Sequence, residues 1–213
     1  MSNTCSCSHC HCKKDVQTIN IHLILDMSGS MQENRDMTVS ACNEYFNGLR
    51  DNGFTYNAAL TVFNSNVNTK RLLGYETLNK DNFQLTHSMY KPDGATPLYD
   101  AIGDVITSMN SLTGAKLVII QTDGYNNDSR RYSRERIIDL IKEKTSEGSW
   151  TFVYLGCDLD AMQAGVGLGI AGNNTKSYAR KDSAKTFGIL RADTVTYSAV
   201  ASNGGSTDNF FKE

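Results

Sequence analysis

Three short polar segments carry the side chains of this sequence that could do chemistry. In the first, Asp26-Met27-Ser28-Gly29-Ser30, one aspartate and two serines alternate. The second brings Thr96 to the start of an apolar-striped segment, and the third places Asp123 directly after a strongly apolar run. Carboxylate and hydroxyl oxygens are ligands for hard divalent cations such as Mg²⁺ and Mn²⁺. The candidate metal ligands are therefore Asp26, Ser28, Ser30, Thr96 and Asp123.

Three of these five candidate ligands are neutral hydroxyls. A divalent cation held mainly by hydroxyls stays electron-poor, and Mg²⁺ usually keeps several coordination positions for water. An electron-poor ion with an open position attracts an anionic oxygen from another molecule. The ligand set therefore predicts a site that binds an acidic group through its metal.

Apolar runs of strand length alternate with amphipathic segments of helix length along the chain. The strand-like runs are 18–25, 58–64, 70–75, 116–122, 150–155 and 176–179. The helix-like segments are 32–50, 97–112, 133–148, 161–170 and 183–202. This alternation predicts an α/β fold with a doubly wound, mostly parallel sheet flanked by helices. Ligands of such sheets gather beyond the carboxyl ends of the strands, so the three polar segments are expected at one edge.

The order of these segments resembles the metal-ion-dependent adhesion site (MIDAS) of von Willebrand factor A (VWA) domains. The family pattern is Asp-x-Ser-x-Ser, then a Thr, then an Asp after a later strand, and all five positions match here. The resemblance covers about residues 17–160 and implies a Rossmann-like fold whose Mg²⁺ or Mn²⁺ binds an acidic residue of a protein partner. Residues 155–158 and 168–173 are more loosely similar to VWA proteins of bacteria and their phages.

The sequence predicts three regions: a flexible Cys/His-rich segment at 1–15, the VWA domain with its C-terminal helical and strand extension at 16–203, and a frayed tail at 204–213. Within the first region, Cys5, Cys7, Cys10 and Cys12 lie close together with His9 and His11 between them. Thiolates and imidazoles suit Zn²⁺, but a second ligand pair beyond a longer loop is missing. A disordered leader is therefore favoured, with a zinc site as the alternative.

Composition narrows the classes of partner. The 213 residues carry 21 Lys and Arg against 23 Asp and Glu, a formal charge of −2. That balance gives no reason to expect nucleic acid as a partner. No apolar run reaches the ~20 residues of a membrane-spanning helix, and the first residues do not resemble a secretory signal. The expectation is a cytoplasmic protein that does not bind membranes, with its oligomeric state left open.

Two other functions compete with metal-dependent protein binding. A Mg²⁺-dependent phosphohydrolase could use Asp26 as its nucleophile, as haloacid-dehalogenase phosphatases do at the end of the first strand. That family needs a second aspartate two residues on, where this chain has Ser28. The other alternative is a scaffold domain whose metal only holds the three loops together. The sequence favours a binding module that is not an enzyme.

Five residues near the candidate ligands are predicted to contact the partner. Aromatic side chains close to a metal site are suitable contact residues. Arginines beyond the third segment could orient an acidic partner electrostatically. The predicted partner-binding residues are Tyr99, Tyr125, Asn126, Arg130 and Arg131.

Overall fold

A computed structural model describes residues 18–50, 52–79, 83–158, 160–205 and 207–211. The predicted Cys/His-rich segment, with Cys5, Cys7, Cys10 and Cys12, lies outside the described residues. The favoured disordered leader and the alternative zinc site therefore both stay predictions.

A six-stranded sheet forms the centre of the fold. Its strands are β1 (Ile19–Asp26), β2 (Tyr56–Asn64), β3 (Asn68–Thr77), β4 (Lys116–Thr122), β5 (Trp150–Cys157) and β6 (Thr175–Tyr178). They lie in the order β3-β2-β1-β4-β5-β6, with β3 antiparallel to β2 and every other pair parallel. The helices are α1 (Arg35–Gly48), α2 (Leu98–Met109), α3 (Arg134–Ser146), α4 (Ala161–Val166) and α5 (Ser183–Ser202). The predicted doubly wound, mostly parallel α/β fold is thereby confirmed.

Strand β1 explains why the sheet is covered on both faces. All eight of its residues are buried, and successive side chains of a strand point to opposite faces. Leu23 and Leu25 belong to the apolar cluster that contains residues of α1 and α5, whereas Ile24 belongs to the cluster formed with α2 and α3. A strand buried on both faces needs a nearly continuous apolar sequence, which is what 19–25 provides.

The parallel pairing brings the candidate ligands to one edge. Asp26 is the last residue of β1, and Thr122 is the last residue of β4, its parallel neighbour. The chain leaves both strands at the carboxyl edge, so the loops after them lie side by side. Strands β5 and β6 end at the same edge, at Cys157 and Tyr178.

The structure differs from the sequence pattern at several helix ends. The predicted helix from Gln32 begins as a 3₁₀ helix at Gly29–Asn34 and becomes α-helical only at Arg35. The helix expected over 161–170 ends at Val166, because Gly167 follows and Gly169 adopts a positive φ of 87°.

The C-terminal residues 207–211 also differ from the expected frayed tail. Phe210 is only 2% exposed and packs against Tyr197 of α5, with ring centroids 6.0 Å apart. The backbone N–H of Phe211 donates to the carbonyl of Asn173 (3.0 Å). Burial of the Phe210 ring holds this segment against the domain despite the two glycines that precede it.

None of the helices that the structure describes is long and apolar enough to cross a bilayer.

Candidate metal site

Asp26 anchors the site from the end of β1. It is fully buried, and its carboxylate accepts hydrogen bonds from the backbone N–H of Ser28 (2.7 Å) and from Thr122 Oγ1 (2.5 Å). The backbone of the next residue is pinned as well, since Met27 N donates to Phe63 O (2.9 Å). These hydrogen bonds define the shape of the Asp-x-Ser turn.

The two serines connect this turn to the loop after β4. The hydroxyls of Ser28 and Ser30 are 3.1 Å apart, and Ser30 Oγ donates to Asp123 Oδ1 (2.6 Å). Neighbouring ligand oxygens of an octahedral ion lie about 3.0 Å apart when each metal–oxygen distance is ~2.1 Å. The Ser28–Ser30 spacing matches that of two ligands of a Mg²⁺-sized ion, whereas the shorter Ser30–Asp123 spacing is that of a hydrogen bond.

Thr96 is held beside these residues by its backbone. Its N–H donates to Asn127 Oδ1 (2.7 Å), and its carbonyl accepts from Asn127 N (3.1 Å). Its hydroxyl faces the loop after β4, 3.7 Å from where a Cβ on Gly124 would stand. The threonine is 3% exposed and lies one residue before Pro97, which caps α2.

The loop before Thr96 packs closely on the first turn. Gly29 N donates to Gly94 O (2.9 Å). Gly94 adopts a positive φ of 71°, and a Cβ there would stand 2.3 Å from Ser65 Oγ. A side chain at Gly94 would be strained by this φ and would crowd Ser65 in the loop after β2, so glycine suits this position.

Burial makes the ionised forms of Asp26 and Asp123 unfavourable. Burial raises the pKa of Asp26 to about 6, against the opposing effect of its hydrogen bonds from Thr122 and Ser28. Burial also raises the pKa of Asp123, although the hydrogen bond from Ser30 and the charge of Arg180 oppose that shift. A bound divalent cation would favour the ionised form of both groups.

The donor chemistry of these residues fits a hard divalent cation. The candidate donors are two carboxylates and three hydroxyls on three neighbouring loops at one edge of the sheet, and every one of them is an oxygen. The described residues contain no group of three or more His, Cys, Asp or Glu that could hold a metal. The candidate metal site, in which three of the five donors are hydroxyls, is thus a different kind of site from a cluster of acidic or sulfur ligands.

Two of the predicted contact aromatics line one cavity beside the site. Tyr99 and Tyr125 lie on the wall of a cavity of about 170 Å³, together with Gln163 of α4. Tyr125 is 55% exposed, and its hydroxyl donates to Gln163 Oε1 (3.4 Å). Asn126 also lines this cavity, but its carboxamide oxygen accepts from Ser129 Oγ and from Tyr99 N (3.3 Å). It therefore has a structural task in the loop.

The two predicted arginines lie against acidic side chains of their own chain. Arg131 forms a two-point contact with Asp104 (2.6 and 2.7 Å), one turn into α2 beyond Asp100. Arg130 pairs with Asp128 (3.2 Å) and its side chain is 82% exposed. A partner role for these residues, as for Tyr99, Tyr125 and Asn126, stays a prediction.

Arg180 is a functional candidate that the sequence analysis missed. Its guanidinium lies against Asp123 and contacts groups of two further loops. Arg180 follows β6, which ends at the same edge of the sheet as β1 and β4. The rule that placed the other candidates at the carboxyl edge could have found it, because Arg180 directly follows the strand predicted at 176–179.

These observations define a doubly wound α/β domain with an all-oxygen candidate metal site at the carboxyl edge of its sheet. The family model of the von Willebrand factor type A domain matches residues 20–206. The chain therefore belongs to the VWA family. No curated protein matches it by sequence.

Solved structures show the same fold at low sequence identity. The open conformation of the pilus adhesin SpaC from Lactobacillus rhamnosus GG aligns over 85% of this chain and 30% of its own, with 14% identity and a TM-score of 0.70. Proximal thread matrix protein 1 of the mussel byssus, with a zinc-occupied MIDAS motif, aligns over 84% and 48%, with 17% identity and a TM-score of 0.58. Manganese-loaded TRAP protein of Plasmodium vivax aligns over 79% and 71%, with 16% identity and a TM-score of 0.56. The chain spans less than half of the first two proteins, and likeness at this identity concerns the fold alone.

Proposed function

We propose that this VWA domain binds a divalent cation through Asp26, Ser28, Ser30, Thr96 and Asp123, and that the cation captures an acidic group of a partner protein. The observation that carries the proposal is the continuous oxygen contact from Ser28 through Ser30 to Asp123, which joins two loops. Membership of the VWA family and the metal-loaded relatives support it. Mg²⁺ and Mn²⁺ are the proposed ions because every donor is a hard oxygen.

Each residue has a task that follows from its environment. The ion supplies an open position that attracts an anionic oxygen. The buried Asp26 carboxylate orients the turn through Ser28 N and would balance part of the positive charge of a bound ion. Ser28 and Ser30 contribute neutral oxygens, so little of the ion's charge is cancelled. Thr96 is positioned by Asn127, which makes its hydroxyl dependent on the loop after β4.

The environment of Asp26 argues against phosphohydrolase chemistry. A nucleophilic carboxylate needs an oxygen that can reach the substrate, whereas Asp26 is fully buried and both of its oxygens accept hydrogen bonds. The position two residues on, which would hold a general acid, is Ser28. A binding role for the site therefore explains the geometry better than hydrolysis.

Replacing Thr96 by alanine is expected to weaken Mn²⁺ binding by about tenfold to a hundredfold, because one neutral ligand of the ion is lost while its backbone contacts remain. The free Mn²⁺ concentration, measured by electron paramagnetic resonance during a titration, gives the affinity. Thr196→Ala is the matched control, since that hydroxyl only donates to Ala192 O within α5 (3.2 Å). Equal Mn²⁺ affinity of wild type and Thr96→Ala would contradict the proposed ligand set.

Partner capture is tested by affinity purification from a lysate of the source organism. The protein is used as wild type in Mg²⁺, as wild type in EDTA, and as Thr96→Ala in Mg²⁺, with Thr196→Ala as control. A partner retained only by wild type and the control in Mg²⁺ supports recognition through the metal. A partner retained under all conditions, together with a melting temperature that falls in EDTA, would assign the metal a purely structural role. The cytoplasmic location stays a prediction.

A further inference from the structure

Arg180 contacts loops that follow three different strands. Its guanidinium donates to Asp158 Oδ2 from Nε (2.6 Å), to Glu33 Oε2 (3.1 Å) and Ser30 O (3.3 Å) from Nη1, and to Asp123 Oδ2 from Nη2 (3.3 Å). These contacts reach the loops after β1, β4 and β5. One cationic side chain of the protein thus lies within the group of loops that forms the candidate metal site.

Asp158 holds Arg180 in this position. The backbone N–H of Arg180 donates to Asp158 Oδ1 (3.2 Å), while Nε binds the other carboxylate oxygen. Asp158 itself adopts a positive φ of 51°, and its N–H donates to Tyr178 O (2.8 Å). The Arg180 side chain is 26% exposed. Backbone and side chain together therefore fix the guanidinium beside Asp123, and it does not act as a freely moving surface charge.

Asp123 is shared between the guanidinium and the other candidate ligands. Its carboxylate is 1% exposed, with Oδ1 bound by Ser30 Oγ and Oδ2 by Arg180. A divalent cation at the site would use the electron pairs of the same carboxylate. It would also be repelled by the positive charge of the guanidinium, and such repulsion is screened less in a partly buried site than in water.

We propose that Arg180 is an internal counter-ion of Asp123, which weakens divalent-cation binding at this site and leaves the bound ion more electron-poor. This inference rests on the metal site proposed above. Because Arg180 neutralises part of the Asp123 charge, the ion receives less charge from the protein and interacts more strongly with an external anion. Binding of the ion and of an acidic partner are then coupled, and thermodynamic coupling is reciprocal. The domain holds the ion weakly alone and firmly when an acidic group completes its coordination.

The test measures Mn²⁺ affinity by electron paramagnetic resonance for the wild type, Arg180→Gln and Arg180→Lys. Removing the charge in Arg180→Gln is expected to tighten Mn²⁺ binding about tenfold, which corresponds to about 1.4 kcal/mol. Arg180→Lys keeps the charge and is expected to stay within about threefold of the wild type. Lys181→Gln, an exposed neighbour on the same turn, removes the same net charge and is expected to change the affinity by less than about twofold.

The melting temperature of each metal-free variant is recorded as an independent check of folding. If Arg180→Gln does not fold, Arg180→Met supplies the neutral variant and retains an apolar stem. Unchanged or weaker Mn²⁺ binding by the neutral variant would overturn the inference. If Arg180→Lys weakened Mn²⁺ binding as much as the neutral variant does, Arg180 would have a purely structural role in positioning the loops. Absence of Mn²⁺ binding by the wild type would contradict the proposed function itself, so the two failures are distinguishable.

Discussion

Replacing Asp26 by asparagine is expected to raise the melting temperature of the metal-free protein by about 5–10 °C at pH 8 and to abolish its response to Mn²⁺. Burial raises the pKa of Asp26 to about 6, so its ionised form is costly in the folded protein. A shift of that size corresponds to about 3 kcal/mol, and each kcal/mol moves the melting temperature of a domain this large by about 2–4 °C. Asparagine keeps an oxygen for Ser28 N without carrying the charge.

The direction of the pH dependence follows from the raised pKa. The carboxyl of Asp26 has a higher pKa in the folded than in the unfolded chain, so folding favours its protonated form. The stability contributed by this group is complete below about pH 4 and is lost as the pH rises through about 6. Wild type and Asp26→Asn are therefore expected to melt alike at pH 4, with the advantage of the variant developing between pH 4 and 6.

At pH 8, saturating Mg²⁺ or Mn²⁺ should give the wild type a higher melting temperature than Asp26→Asn. A ligand that binds only the folded protein stabilises it, and the variant lacks the carboxylate. Asp139→Asn, an exposed carboxylate on α3, is the control and is expected to change the melting temperature by about 1 °C or less. Thermal melts at pH 4, 6 and 8, with and without metal, measure all of these effects. A destabilised metal-free Asp26→Asn variant at pH 8 would show that the carboxylate itself is needed for folding.

Asp100→Ala is expected to lower the melting temperature by about 10 °C. The Asp100 carboxylate, at the start of α2, is 2% exposed and accepts three backbone N–H groups, from Arg130 (3.1 Å), Arg131 (2.9 Å) and Tyr132 (3.0 Å). Each donor left without an acceptor costs about 1–3 kcal/mol. Because these three N–H groups lie in a partly exposed loop, a loss near the lower end of the summed range, about 3–5 kcal/mol, is expected. A thermal or urea-induced unfolding curve measures it.

Acid should remove part of the same stabilisation from the wild type, because protonation weakens the Asp100 carboxylate as a hydrogen-bond acceptor. Burial acts to raise the pKa of Asp100, but the three backbone hydrogen bonds and the charge of Arg131 outweigh it, so the pKa is lowered. A lowered folded-state pKa means stability that is present above the unfolded value of about 4 and is lost as the pH falls through the folded value. The difference between wild type and Asp100→Ala should therefore narrow in acid.

Asp104→Ala is the matched control for this prediction. It lies one turn further along α2 and receives the Arg131 fork, but its side chain is 28% exposed. A surface ion pair of this kind contributes about 1 kcal/mol or less. An Asp104→Ala variant as unstable as Asp100→Ala would contradict the argument that the three unpaired backbone N–H groups cause the effect. The loop that Asp100 binds also contains Asn127, which positions Thr96. Asp100→Ala should therefore weaken Mn²⁺ binding as well.

The sequence by itself determined the architecture and the order of the candidate ligands. Strand β1 is mostly apolar, as a strand buried on both faces requires, and this local pattern can be recognised without coordinates. Asp26 closes one parallel strand and Asp123 directly follows another, so their common edge follows from topology alone. A last helix was likewise predicted over the range that α5 occupies, Ser183–Ser202.

The interactions that tune this edge were decided only by the tertiary structure. Arg180 meets Asp123 across 57 residues of chain, and Asp100 binds the backbone of a loop about thirty residues later. Such contacts depend on where the loops turn and on the directions that the long side chains take. Composition and periodicity encode neither. Arg131 shows the same limit, since its sequence position indicated the metal edge but its side chain binds Asp104. Apolar periodicity reports which face of an element is buried, whereas the partners of a polar side chain emerge only when the loops are packed together.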